Sequence, residues 1–241
     1  MQPSSSYNDL ARKYGFAPTP ESVQRLTQLI ARQDADVEEI SRLISKDPGL
    51  RARLLRVANP EAESESCYTI ETVDEALMRN GIGCALLLAM GTPLSVALTK
   101  AFQTMVLLKL ESIDPRAAVP LEGEHVLGTI GFSGKALGRV YLRMSVASAR
   151  KIVSAIIGLE PKDLDDEVIK DTVGEVLNIM TGNFKSNLCD AGLDCKLTPP
   201  LVEHSTDLET PTVPGGGLER MAFRAGEITL FVDVTVNPWS D

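Results

Sequence analysis

The hydrophobic period changes partway along this chain, and no single-class fold accommodates both patterns. Up to about residue 110, apolar residues recur three and four apart, the period of an amphipathic helix. Val23, Leu26, Leu29 and Ile30 follow this spacing between Pro20 and Arg32. Ile40, Leu43 and Ile44 follow it between Val37 and Ser45, with Asp36 placed to cap. Asp47-Pro48 opens a third helix with a buried stripe of Leu50, Leu54, Leu55 and Val57. Residues 60–70 read as a polar loop, and Glu71 to Leu88 as helix again. From Ser112 to Gly123, Pro115, Pro120 and Gly123 punctuate a polar stretch that fits a domain boundary.

Beyond that stretch the period falls to two. Gly138 to Ser145 sets Val140, Leu142 and Met144 on one face and Arg139, Tyr141 and Arg143 on the other. Val126 to Phe132 is its expected partner strand, with a turn at Ser133-Gly134. Met221 to Phe223 and Ile228 to Val236 read as further strands, the latter burying Ile228, Leu230, Val232, Val234 and Val236. Two helices interrupt the strands. Ala147 to Ile157 stops at Gly158, and Asp165 to Leu188 starts on acidic residues that suit the helix dipole. The expected fold is α+β, an antiparallel sheet packed by two long helices, preceded by an all-α segment. The expected parts are residues 1–110 and 118–241.

Composition closes several routes to function. The 241 residues carry a formal net charge of -9, which argues against a phosphate-backbone binder, so no nucleic acid is expected. Two histidines, His125 and His204, cannot build a histidine-rich metal site and make a Ser-His-Asp hydrolase a poor fit. Both are read as incidental, one opening a strand and one in a loop. Cys67, Cys84, Cys189 and Cys195 form no C-x-x-C, and the first residues hold no apolar signal core. Reduced thiols in a cytoplasmic protein are expected. Asn80 to Thr99 is uncharged and near the length of a membrane span, but Gly81, Gly83 and Gly91-Thr92-Pro93 break it, so a core helix plus turn is preferred. Glu203 to Leu218 reads as a long connection. Its Gly215-Gly216-Gly217 lacks the Lys-Ser/Thr of a phosphate loop and is a turn. Trp239 fits either an edge packing position or a partner contact.

The helix at 171–188 carries the candidate chemistry. At about 100° per residue, Ile169, Val173, Val176, Leu177, Met180, Phe184 and Leu188 share one stripe. Glu175 and Asn178 share a face nearly opposite, with Asp171, and small residues Gly174, Gly182 and Ser186 flank them. Each interior glycine costs about 1 kcal/mol relative to alanine. Either something offsets that loss, or the glycines leave room for an approaching surface. Spacing alone also fits two ordinary solvated side chains.

The run Asp171, Glu175, Asn178 and, two dozen residues on, Pro200 resembles the signature of the CheC/CheX/FliY phosphatases of bacterial chemotaxis. GEVLNIMTGNFKSNL, GFSGKALGRVYLRMS and KLTPPLV resemble words of the CheX branch, across roughly residues 120–237. A single motif is present, as in CheX. The resemblance implies hydrolysis of the aspartyl phosphate on a CheY-like receiver domain. Glu175 would pair with the receiver's lysine and Asn178 would orient the attacking water. Asp171, Gly174 and Gly182 would support the helix or contact the partner. Mg2+ would sit on the receiver, and this chain would bind no cofactor or metal. It also implies a homodimer with an exchanged strand. A non-catalytic adaptor that binds a receiver is the rival reading, and a purely structural oligomer a weaker third.

The first part is similar to the start of an HDOD domain, in PTPESVQRLTQLI, VEEISRLISKDPGLRARLLRVANP and TIETVDEALMRNGI. The likeness covers residues 18–100, about half the usual module. The segment has no histidine, so the resemblance implies no enzymatic role for it. It implies a cap, a dimerisation element or a partner-binding platform. Leu86-Leu87-Leu88 are expected to pack on the second part.

Overall fold

The computed structural model describes residues 19–30, 36–58, 70–78, 108–115, 118–135, 137–190, 193–211 and 217–236, with short pieces at 32, 85, 88, 98–100 and 102–104. Cys67, Cys84, most of Asn80 to Thr99, Leu86, Leu87, Gly215, Gly216, Trp239 and the side chains of Val57 and Leu188 lie outside the described residues.

Three helices open the described chain: α1 (Pro20–Ile30), α2 (Val37–Lys46) and α3 (Pro48–Ala58). Asp36 caps α2 by accepting from the Glu38 N–H at 3.0 Å. Asp47 Oδ1 accepts from the N–H groups of Gly49 and Leu50 at the start of α3 (2.9 and 3.0 Å), while its Oδ2 accepts from the N–H and hydroxyl of Thr19 (both 3.0 Å). One carboxylate therefore ties the entry of α1 to that of α3. Residues 73–78 add a further helical turn. Leu26, Ile30, Ile40, Ile44, Leu50 and Leu54 are fully buried, the face that the 3.6 period selects.

The rest of the described chain is one antiparallel sheet with two helices. Its strands are β1 (Glu111–Ile113), β2 (His125–Gly134), β3 (Gly138–Ser145), β4 (Cys195–Leu197), β5 (Leu201–Ser205), β6 (Gly217–Ala225) and β7 (Ile228–Val236). The order is β1-β6-β7-β3-β2-β4, with β5 also on the β2 edge. β4 and β5 lie end to end along β2: Cys195 to Leu197 pair with its last three residues, and Leu201 to Ser205 with its first five. Helices α4 (Val146–Ile157) and α5 (Asp166–Asp190) connect β3 to β4. Ser145 caps α4, and Gly158 closes it in the left-handed region (φ 81°), a conformation glycine reaches without Cβ strain. Arg150 then donates to the carbonyls of Pro161 and Leu164 (2.9 and 2.8 Å), which fixes the link to α5.

α5 lies on β2, β4 and β5 with Ile169, Val173, Val176, Leu177, Met180 and Phe184 all buried. Phe184 meets Phe132 of β2 edge-on at 5.9 Å. Gly128 of β2 makes the approach possible, because a Cβ there would stand 2.9 Å from Leu177 Cδ2. Arg53 of α3 pairs with Glu219 of β6, both largely buried, and lies 3.5 Å from the Leu88 carbonyl. The helical segment thus docks on the sheet through Arg53, and Leu88 is buried.

The structure differs from the sequence reading in several places. The strand expected at Met221 to Phe223 runs over the whole of β6, because Glu219 and Arg220 are neutralised by Arg53 and Asp233 and so can occupy a strand. The connection expected from Glu203 to Leu218 begins in β5 and ends in β6. An edge strand tolerates Glu203 and His204, which hid it. His204 accordingly sits on β5 rather than in a loop. β2 continues through Ser133-Gly134 because β4 pairs with it there.

On the second face of β3 Tyr141 and Arg143 also prove buried, while Arg139 is exposed. Arg143 is 3% exposed and Asp233 of β7 is 0% exposed. Asp233 accepts from Arg143 (2.8 Å), from Arg220 Nε (2.7 Å) and Nη2 (2.7 Å), and from the Thr210 hydroxyl. Arg143 also donates to the Glu209 carbonyl at 2.9 Å and stacks over Tyr141 at 5.4 Å. These bonds strap the 206–211 loop across the outer face. Burial pulls the Arg143 pKa down and Asp233 acts against that pull, while the hydrogen bonds from Arg220 to Asp233 raise the Arg220 pKa.

Candidate functional site

α5 is amphipathic, so the sheet that buries its apolar stripe determines which side chains face outward. Asp165 starts it, accepting from the Val168 N–H at 2.8 Å. Asp171, Glu175 and Asn178 are all exposed, at spacings of four and three that place them along one face. Among the described residues, neither the Glu175 nor the Asn178 side chain has a hydrogen-bond or ion-pair partner; the Asn178 backbone carbonyl accepts from Thr181 Oγ1. A carboxylate and an amide are therefore held on a rigid rod with their polar atoms free.

The small residues differ from one another. Gly174 is buried against Pro200 and Val202, and a Cβ there would make ordinary contacts of 3.6–3.7 Å. Pro200 thereby lies beside the site helix, 25 residues after Glu175 in the chain. At Gly182 nothing lies within 4 Å of a built Cβ, so that face is open.

A shallow groove runs beside Glu175, lined by Asp166, Lys170, Asp171, Gly174, Pro200 and Val202 among others. Its far end is charged. Lys170 donates to Asp166 at 2.7 Å, and His204 Nε2 stands 2.5 Å from the same carboxylate. These hydrogen bonds, from Lys170 first and His204 next, hold Asp166 below the usual carboxylate range. The chain Lys170–Asp166–His204 fastens α5 to β5. Sequence spacing did not indicate it, since Asp166 and His204 are 38 residues apart.

Ile179 was also missed. It is 38% exposed on the Glu175 side of α5. An apolar side chain directly after Asn178 and out of phase with the buried stripe was the available signal.

Cys189 and Cys195 are free thiols, and burial pushes the Cys195 thiol up. Among the described residues no three His, Cys, Asp or Glu side chains gather to hold a metal ion. No helix among them is long and apolar enough to cross a membrane.

Comparison with known proteins finds two families along the chain. The model described as "Chemotaxis phosphatase CheX" matches residues 126–217, and that described as "HDOD domain" matches residues 16–111. The CheY-P phosphatase CheX of Thermotoga maritima is 28% identical over 103 residues, 40% of this chain. This chain spans 66% of that relative's length, just under two thirds. Among solved structures, the chemotaxis protein CheX from Vibrio vulnificus is 26% identical with a TM-score of 0.53, covering 61% of this chain and 95% of that one. The CheC-like superfamily protein from Shewanella sp. PV-4 is 24% identical with a TM-score of 0.54, covering 62% and 97%. CheX from a CheX-CheY-BeF3-Mg2+ complex of Borrelia burgdorferi is 21% identical with a TM-score of 0.51, covering 62% and 98%, a likeness of fold. The chain therefore joins a segment similar to the HDOD domain to a segment similar to the chemotaxis phosphatase CheX.

Proposed function

We propose that this protein hydrolyses the aspartyl phosphate of a CheY-like receiver domain, with Glu175 and Asn178 as the working pair. The observation that carries this reading is the pair itself, exposed and partnerless on a helix whose other side is locked into the core. The Thermotoga relative is a CheY-P phosphatase, and the Borrelia protein of the same fold was solved with CheY.

In this proposal α5 enters the receiver's cleft, and the open position at Gly182 admits the partner's surface. Glu175 meets a lysine of the receiver. The Asn178 amide donates and accepts at once, so it can hold a water in line with phosphorus without acting as a base. Water oxygen bonds to phosphorus as the bond to the aspartyl oxygen breaks, leaving inorganic phosphate and a free carboxylate. An acyl phosphate is reactive already, so positioning supplies much of the acceleration. Mg2+ belongs to the receiver, and Asp171 and Gly174 support the helix. In this reading the protein works in the cytoplasm, beside its receiver.

The test is the decay of phosphate on purified receivers with Mg2+ present. The expected result is faster decay with this protein, reduced about 100-fold or more by Asn178→Ala. Glu175→Ala is expected to weaken receiver binding about tenfold. Because both side chains are exposed and partnerless, neither change should lower the melting midpoint. Binding without acceleration, across all receivers of the same organism, would replace the phosphatase with the adaptor reading.

A further inference from the structure

The helical segment carries a groove that the proposed reaction does not use. It runs between α1 and α2, lined by Arg25 and Leu29 on the first helix, by Arg32 just beyond its end, and by Arg42, Leu43 and Lys46 on the second. Arg32 and Glu39 approach to 3.6 Å next to the connection between the helices. Arg25 and Lys46, one on each helix, line the same groove. Leu29 is buried and Leu43 half-buried, so the floor is apolar while the cations stand exposed along both walls. Among the described residues four cations meet one carboxylate here, in a chain of net charge -9. Among the described residues Arg25, Arg42 and Lys46 have no ion-pair partner. Gathering unneutralised cations costs self-repulsion, which an anionic occupant would relieve.

The lining narrows the class of occupant. Among the described residues it contains no aromatic ring on which a base could stack. An apolar floor between two basic walls matches a helix or strand that presents apolar residues flanked by carboxylates. We propose that the α1/α2 groove is a docking surface for an acidic amphipathic segment of a partner protein, its carboxylates meeting Arg25, Arg42 and Lys46 and its apolar side chains resting on Leu29 and Leu43.

The experiment is fluorescence anisotropy of a labelled 14-residue peptide with Leu at helical spacing and Glu elsewhere, titrated with the full chain. A scrambled peptide of the same composition, a single-stranded DNA 10-mer and ATP serve as competing probes. The patterned peptide is expected to bind more tightly than each of these. Its affinity should fall about tenfold or more in Arg25→Glu/Arg42→Glu/Lys46→Glu, and fall again with added salt. Reversing three exposed cations elsewhere, Arg139, Lys162 and Arg224, should leave it unchanged. Equal binding of patterned and scrambled peptides, equal loss on reversing the distant cations, or tighter binding of the oligonucleotide or ATP would each overturn the proposal. Should the triple variant fail to fold, Arg42→Ala alone must still weaken the peptide measurably. Receiver dephosphorylation is a separate readout, so the two proposals stand or fall apart.

Discussion

Asp47 accepts from the entries of two helices at once, through Gly49 and Leu50 on one side and Thr19 on the other. Burial would raise its pKa. The N–H groups of Thr19 and Leu50 and the hydroxyls of Ser22 and Thr19 outweigh that effect and hold it below the usual carboxylate range. A lowered folded-state pKa means the carboxylate stabilises the fold above its unfolded pKa, and that contribution is lost as pH falls through the folded value. Asp47→Asn keeps one acceptor oxygen but turns the other into a donor facing the Thr19 N–H. It should cost about 1–2 kcal/mol at neutral pH in urea melts. The gap between the two proteins should then narrow below about pH 4. A gap that stays constant with pH would remove the charge from this account.

At the scale of elements, α5 combines a core function with a surface one. Gly182 faces open space, so Gly182→Ala should stabilise the isolated protein by about 0.5–1 kcal/mol, read as a raised urea midpoint. If the receiver approaches there, the same variant should slow dephosphorylation. Stabilisation without any kinetic loss would show that the glycine leaves no room that a partner uses. Much of this helix was legible beforehand, since a 3.6-residue period over a long window specifies both the buried stripe and the outward face. The strands with strict alternation, β3 and β7, were legible for the same reason. β5 was not, because Glu203 and His204 on an edge strand look like loop. The burial on the second face of β3 was not either. Arg143 signals exposure until Asp233, 90 residues later, arrives as its counter-ion. Pairings at such separations leave no local trace, and the link from His204 to Asp166 was missed for that reason.

On the scale of the whole molecule, two ion clusters reinforce an apolar core that runs without a break from the helical segment into the sheet. Arg53 and Glu219 fasten the helical segment to β6, and Asp233 binds β3, β6 and the 206–211 loop through Arg143, Arg220 and Thr210. Removing one member of a buried cluster leaves its counter-charge stranded, which costs more than the pair contributes. Asp233→Ala should therefore cost about 3–5 kcal/mol in denaturant melts. It should also open the 206–211 loop to proteolysis. A loss below 1 kcal/mol with an intact loop would mean that packing of Phe231 and its neighbours holds that face instead.

The spacing of Glu175 and Asn178 has a consequence for choice among partners. Two side chains three residues apart on a helix stand about 5–6 Å apart at Cβ, and nothing in the core-locked rod lets that interval stretch. α5 would then act as a gauge. A receiver would be accepted when its lysine and its phosphorylated aspartate match a fixed interval, so discrimination between sibling receivers would lie in turnover rather than in binding strength.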